Sequence, residues 1–83
     1  MNIRILYFAA LRESLGVSAE DFPLPDGVDS VDGVRACLVS RGGKWEKLSA
    51  RSVKAAVNQS MAAGGSPVRP GDEVAFFPPV TGD

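Results

Sequence analysis

An α+β fold, one mixed sheet crossed by one long helix, is predicted by three observations. Alternating apolar residues mark strands at 2–8 and at 73–77, the two extremes of the chain. Between them, residues 31–41 hold the one long run with helical spacing. At 83 residues the chain makes a single domain, small enough to bury only about 60% of its unfolded surface, so one helix on one sheet is the compact solution.

The elements follow in order. Residues 2–8 place Ile3, Ile5 and Tyr7 on one face of a strand and Arg4, Leu6 and Phe8 on the other. The strand is either buried on both sides or shows Phe8 as part of a contact surface. Residues 9–15 suit a short helix stopped by Gly16 at the position after its last turn. Residues 18–24 give a second strand with Phe22 and Leu24 on one face, and Pro23 confines it to an edge or a strand end. Pro25-Asp26-Gly27 is a turn.

Ser30 is a good cap for the helix at 31–41, with Asp32 in its first turn and Arg41 in its last, both matched to the helix dipole. Val31, Val34 and Leu38 form its buried stripe, and Gly42-Gly43 ends it. Trp45 and Leu48, in a loop or a single helical turn, are expected to plug the core from below. Residues 53–58 read as the third strand and Met61–Ala63 as a short fourth, joined by a turn through Asn58-Gln59-Ser60. The last strand, 73–77, is expected to lie parallel to the first at the centre of the sheet. That is a β-grasp arrangement, of the ubiquitin-like kind, over residues 1–78, with 79–83 as a flexible tail.

Composition excludes several function classes. A net charge of −1 with scattered signs gives no electrostatic case for nucleic acid or an anionic membrane. No apolar run reaches membrane-spanning length and no leader pattern precedes the first strand, so a soluble cytoplasmic protein is expected. The absence of histidine removes the commonest general base and metal ligand. A single cysteine leaves no intrachain disulfide and no multi-cysteine zinc site. Gly42-Gly43-Lys44 lacks the Ser/Thr of a phosphate loop and reads as a helix stop. No catalytic residue, bound cofactor or metal is expected in the chain.

Cys37 could carry a persulfide, but in mid-helix beside Leu38 it reads as a small buried hydrophobe. Arg12 and Glu13 read as a solvated helix pair, and Asp72-Glu73 as an ordinary acidic turn. Phe76 and Phe77 must point to opposite faces of their strand: one enters the core, and the other joins a face with no helix of its own. If Phe8 and Met61 share that face, an apolar patch results, the usual mark of a protein interface.

Pro78 and Pro79 follow the last strand, each holding φ near about −65° and donating no backbone N–H. The chain therefore leaves the sheet as an extended arm, Pro78-Pro79-Val80-Thr81-Gly82-Asp83, suited to insertion into another protein, with a free carboxylate at its tip.

The run Asp72-Glu73-Val74-Ala75-Phe76-Phe77-Pro78-Pro79-Val80-Thr81-Gly82 resembles the C-terminal signature of the small, sulfur-carrying subunits of molybdopterin synthase, a ubiquitin-like family. Phe8-Ala9-Ala10-Leu11-Arg12-Glu13 with Gly16, and Ala56-Val57-Asn58-Gln59, match in order. The resemblance implies a carrier, non-catalytic alone, within a heterotetrameric synthase. An ubiquitin-activating-like enzyme adenylates the tail with ATP, a sulfurtransferase supplies sulfur, and the large synthase subunit uses the terminal thiocarboxylate to build the dithiolene of molybdopterin. It also implies that Phe8, Met61 and Phe77 pack against the large subunit.

The family ends in Gly-Gly, whereas Gly82 is followed here by Asp83. The aspartate adds bulk and charge beside the carboxyl to be adenylated. Its β-carboxylate can also attack that activated carbon and close a five-membered anhydride, a reaction whose effective molarity can reach about 10⁵ M. Two other readings stand beside the carrier of molybdopterin synthesis. One is a thiocarboxylate carrier for thiamine thiazole synthesis or tRNA thiolation, and the other is a binding module without sulfur chemistry.

Overall fold

The computed structural model describes residues 2–50 and 53–78. The elements run β1 (Asn2–Tyr7), α1 (Ala9–Leu15), β2 (Ala19–Pro23), α2 (Val31–Val39), a 3₁₀ segment (Gly43–Ser49), β3 (Lys54–Val57), β4 (Ser60–Ala62) and β5 (Glu73–Phe77). All five strands form one sheet in the order β2-β1-β5-β3-β4. The β1–β5 pair is parallel, with Ile5 opposite Val74 and Tyr7 opposite Phe76, and the other three pairs are antiparallel. The expected β-grasp topology is present, with β5 central and β2 on an edge.

One face of the sheet carries the core. Ile3, Ile5 and Tyr7 from β1, Val74 and Phe76 from β5 and Phe22 from β2 meet Val31, Val34 and Leu38 of α2, and all are buried. Burying a side chain of this size stabilises by roughly 1.5–3 kcal/mol, so this face holds most of the folding free energy. Ser30 caps α2 as expected, its Oγ accepting from Gly33 N–H at 3.1 Å. Leu48 is fully buried and Trp45 packs half-buried against the core, its ring edge-on to Tyr7 with centroids 5.7 Å apart. Both plug the core as their sequence context predicts. Gly16 closes α1 in the left-handed region, φ 76°, its N–H donating to Arg12 O.

Several boundaries differ from the sequence reading. β1 stops at Tyr7 rather than Phe8, β2 covers 19–23 rather than 18–24, β3 covers 54–57 rather than 53–58, and β4 covers 60–62 rather than 61–63. The larger correction is α2, which ends at Val39 and leaves Arg41 outside the helix. Arg41 serves a tertiary partner in place of the helix dipole. Its Nη1 and Nη2 donate to Glu20 of β2 at 3.1 and 2.9 Å, and its guanidinium lies 4.4 Å from the centre of the Trp45 ring. A forked charged hydrogen bond and a cation–π contact outweigh the few tenths of a kcal/mol of a terminal helix charge. Glu20 also accepts from Tyr7 Oη at 2.8 Å, so one carboxylate joins edge strand, buried phenol and helix exit.

Arg35 makes a second tie that sequence periodicity did not reveal. Its guanidinium donates to Leu48 O at 3.3 Å and Val53 O at 3.3 Å, holding the chain on either side of residues 51–52 against α2. Asn58 makes a third. It and Gln59 adopt positive φ, 50° and 71°, in the two-residue turn between β3 and β4. The Asn58 amide accepts from Glu73 N at 3.0 Å and donates to Asp72 Oδ1 at 3.1 Å, while Asp72 Oδ2 accepts from Arg69 N at 2.9 Å. Asp72 is thus the anchor of the turn into β5, more than an ordinary acidic surface residue.

The carboxylates of these ties set the acid response. Burial alone would raise the Glu20 carboxyl, but hydrogen bonds from Arg41 and Tyr7 and the Arg41 charge outweigh it and hold it below its ordinary value. Asp72 is lowered chiefly by the Arg69 N–H, then by Asn58. A carboxyl depressed on folding stabilises above its unfolded pKa, about 4 here, and that stability is lost as pH falls through the lower folded value. Glu20→Gln should therefore reduce stability at neutral pH and flatten the decline below about pH 4. Urea melts of both proteins across that range check this, and parallel curves would exclude Glu20 as a source of acid sensitivity.

Candidate functional site

The face of the sheet away from α2 is the candidate site. Strand alternation sends Leu6 of β1, Ala75 and Phe77 of β5, Lys54 and Ala56 of β3 and Met61 of β4 to this side. Registers place them in two rows. Leu6 lies opposite Ala75, Ala75 opposite Ala56 and Ala56 opposite Met61. One step along the strands, Phe77 lies opposite Lys54, and Phe8 follows Tyr7 alongside it, with Phe8 N donating to Phe76 O at 3.1 Å.

Phe76 is the core member of the aromatic pair. It is fully buried, stacked on Tyr7 with centroids 6.4 Å apart, and lies under Arg35, whose guanidinium is 5.7 Å from the ring centre. Phe77 is half-buried on the opposite side. A sequence signal for this existed: Val74 shares the Phe76 side, and that apolar pair outweighs Ala75 with Phe77 for a place in the core. Phe8, at 44%, and Met61, at 69%, are the exposed large apolar residues among those described. Phe8, Met61 and Phe77 therefore occupy one face.

This face is apolar yet shallow. Its middle is floored by Ala56 and Ala75, and its borders carry the charges of Lys54 at one end and of Arg4 opposite Glu73 at the other. An apolar centre rimmed by charge is a surface suited to another protein rather than to a small molecule. Pro78 leaves β5 directly beside it. The remaining tail residues singled out from sequence, Pro79, Val80, Thr81, Gly82 and Asp83, lie outside the described residues.

Among the described residues no group of three or more His, Cys, Asp or Glu could hold a metal ion. Shallow surface depressions of about 260 and 290 Å³ lie along Arg4, Glu20 and Asp21 and between Asp32, Arg35 and Lys54. Cys37, expected to be a small buried hydrophobe, packs against the core but is only half-buried on α2. Among the described residues no helix is long and apolar enough to cross a membrane.

A five-stranded mixed sheet with its first and last strands parallel and one long helix across one face defines the class: a β-grasp, ubiquitin-like domain. The chain belongs to the ThiS family, whose model matches residues 5–82. It is 41% identical to the molybdopterin synthase sulfur carrier subunit of Haemophilus influenzae, with 96% of this chain and 98% of that protein covered. Among solved structures it is similar to SAMP1 from Haloferax volcanii, with a TM-score of 0.82, 27% identity and full coverage of both chains. The same fold, at 19% identity and a TM-score of 0.68 over all of both chains, occurs in a complex of subunits 1 and 2 of the molybdopterin-converting factor from Helicobacter pylori.

The division of the aromatic pair has a direct stability consequence. Phe76→Ala should cost about 3–5 kcal/mol, as expected for a buried ring, whereas Phe77→Ala should cost about 1 kcal/mol. Denaturant melts of the two variants measure this, and equal losses would place both rings in the core.

Proposed function

We propose that the chain is the sulfur-carrier subunit of a molybdopterin synthase. It would dock on the large synthase subunit through the apolar sheet face and deliver sulfur as a C-terminal thiocarboxylate. The observation that carries this reading is the continuity of face and arm. Phe77, on the proposed docking face, is followed at once in the sequence by Pro78 and the Pro-Val-Thr-Gly run, so a partner that grips the face also meets the start of the arm. The curated relative at 41% identity, named for this role, supports it over a thiazole or tRNA-thiolation carrier. The two-subunit complex formed by a protein of this fold supports the large subunit as partner.

The chemistry divides between the chain and its partners. A carboxylate is a poor acyl donor because oxide is a poor leaving group. An ubiquitin-activating-like adenylyltransferase would join the terminal carboxylate to AMP at the expense of ATP, releasing pyrophosphate. Persulfide sulfur from a sulfurtransferase would then displace AMP to give an acyl disulfide, and a thiol would reduce its S–S bond, becoming a disulfide itself and leaving a thiocarboxylate. The chain supplies recognition, reach and a thin tip, for which glycine at 82 is suited because it lacks a side chain. The large subunit would perform the chemistry on the molybdopterin precursor in a heterotetrameric assembly in the cytoplasm.

Docking is tested at its anchor. Phe77→Ala should weaken binding to the large synthase subunit by about 2 kcal/mol or more in calorimetry while remaining folded. Unchanged affinity of the folded variant would remove Phe77 from the interface.

Carrier chemistry is tested at the tip. The 83-residue chain and Asp83→Gly are each incubated with the activating enzyme, ATP and a sulfur donor, and intact masses are compared. Asp83→Gly should gain the oxygen-to-sulfur shift, and the unaltered chain little of it, because the aspartate crowds the carboxyl and offers an internal nucleophile. Equal conversion of both would exclude the anhydride argument. Failure of both, despite binding to the activating enzyme, would leave a binding module in place of a carrier.

A further inference from the structure

Met61 stands apart on the docking face. At 69% it is the most exposed large apolar side chain among the described residues, placed on the edge strand β4. Its partner across β3 is Ala56 and the next across β5 is Ala75, so its cross-strand neighbours contribute only methyl groups beside the thioether. Exposure of this kind is ordinary for lysine and unusual for a residue with no charge to solvate. A sulfur with open lone pairs, in the surface that must be desolvated on docking, has a reactivity that leucine or isoleucine there would lack.

We infer that Met61 is an oxidation site through which peroxide reversibly controls docking of the carrier. The inference rests on the docking reading above and adds a modification site to it. Hydrogen peroxide transfers one oxygen to the thioether: the O–O bond breaks, an S=O bond forms and water leaves. The sulfur is oxidised by two electrons and the peroxide is reduced by two. The product replaces an apolar thioether with a strongly polar sulfoxide. The residues directly across the sheet are alanines, which offer that oxygen no donor, and the nearest side-chain donor on the face, Lys54, is exposed to solvent one step along β3, so a partner that buries the sulfoxide must strip its water. The reverse step needs a thiol-dependent sulfoxide reductase, in which two thiols become a disulfide and the sulfoxide oxygen leaves as water.

Sensitivity here has a chemical rationale. The proposed cargo is itself a reduced sulfur, which peroxide would destroy. A carrier that leaves its synthase when oxidant rises withholds that cargo from a reaction it could not complete. Leu6, Phe8 and Phe77, the other large apolar residues of the face, are inert to peroxide under such conditions, so Met61 is where the face can respond.

The experiment compares the unaltered chain with Met61→Leu, each before and after treatment with hydrogen peroxide. Peptide mapping locates the added oxygen, and calorimetry measures binding to the large synthase subunit. The oxidised chain should carry oxygen at Met61 and lose about tenfold or more in affinity, the loss expected for burying an unsatisfied polar group. Treatment with a methionine sulfoxide reductase and a thiol should restore it. Met61→Leu keeps an apolar side chain of similar volume without the sulfur, so whatever its own untreated affinity, peroxide should leave that affinity unchanged. Full oxidation at Met61 with unchanged affinity would overturn the inference, as would an equal peroxide loss in Met61→Leu, which would move the lesion to another residue such as Cys37. Absence of binding by the untreated chain would instead overturn the docking reading on which the inference stands.

Discussion

The structure depends on the parallel pairing of β1 with β5. Two strands from opposite ends of the sequence lie side by side, tied outside the ladder by Arg4 N to Asp72 O at 2.9 Å and Phe8 N to Phe76 O at 3.1 Å. Parallel neighbours cannot be joined by a hairpin, so everything between them must act as connection. The chain uses this length to lay α2 across one face, add β2 outside β1 and β3–β4 outside β5. One helix covers one face. Among the described residues no helix lies over the opposite face, whose middle is made of small side chains.

Much of this was legible because the period of the apolar residues is physical. Val31, Val34 and Leu38 recur at helical spacing and all three are fully buried, and β5 occupies 73–77 as its alternation predicts. The face carrying Phe8, Met61 and Phe77 followed from strand parity, though which of Phe76 and Phe77 was interior needed Val74 to be weighed with it. What periodicity could not express were contacts between side chains distant in sequence. Arg41 satisfies a helix-end rule, yet it leaves the helix because Glu20 and Trp45 offer more. Asn58 and Asp72 each read as a turn residue, and their mutual hydrogen bond depends on the β3–β5 register bringing two turns together. Arg35 reads as a helix surface residue, and its bonds to Leu48 O and Val53 O arise only once the chain after α2 folds back beside it.

The bare face resolves a conflict between solubility and docking. Large exposed apolar patches associate indiscriminately, whereas a face without them offers nothing to bind. Here the centre is made of alanines, which are inconspicuous to water and allow close approach of a partner backbone. The large apolar surface is concentrated in a few side chains, Phe8 and Met61 above all, the pattern in which protein interfaces concentrate their binding free energy. Lys54 next to Phe77, and Arg4 next to Glu73, surround that centre with opposite charges, so no single-sign field draws unrelated partners.

β5 joins these requirements in one strand. Phe76 is fixed from above by Arg35 and from the side by Tyr7, and Tyr7 is in turn held by Glu20, which Arg41 grips with both terminal nitrogens. Phe77 is the next residue, so its position on the outer face inherits the rigidity of the inner one. A pre-positioned anchor loses little freedom on binding, and that saving appears as affinity. Pro78, with fixed φ and no donor, then ends the ladder where the anchor ends. The core therefore acts beyond stability: the packing of Phe76 determines where Phe77 stands on the outer face, and with it where Pro78 leaves the sheet.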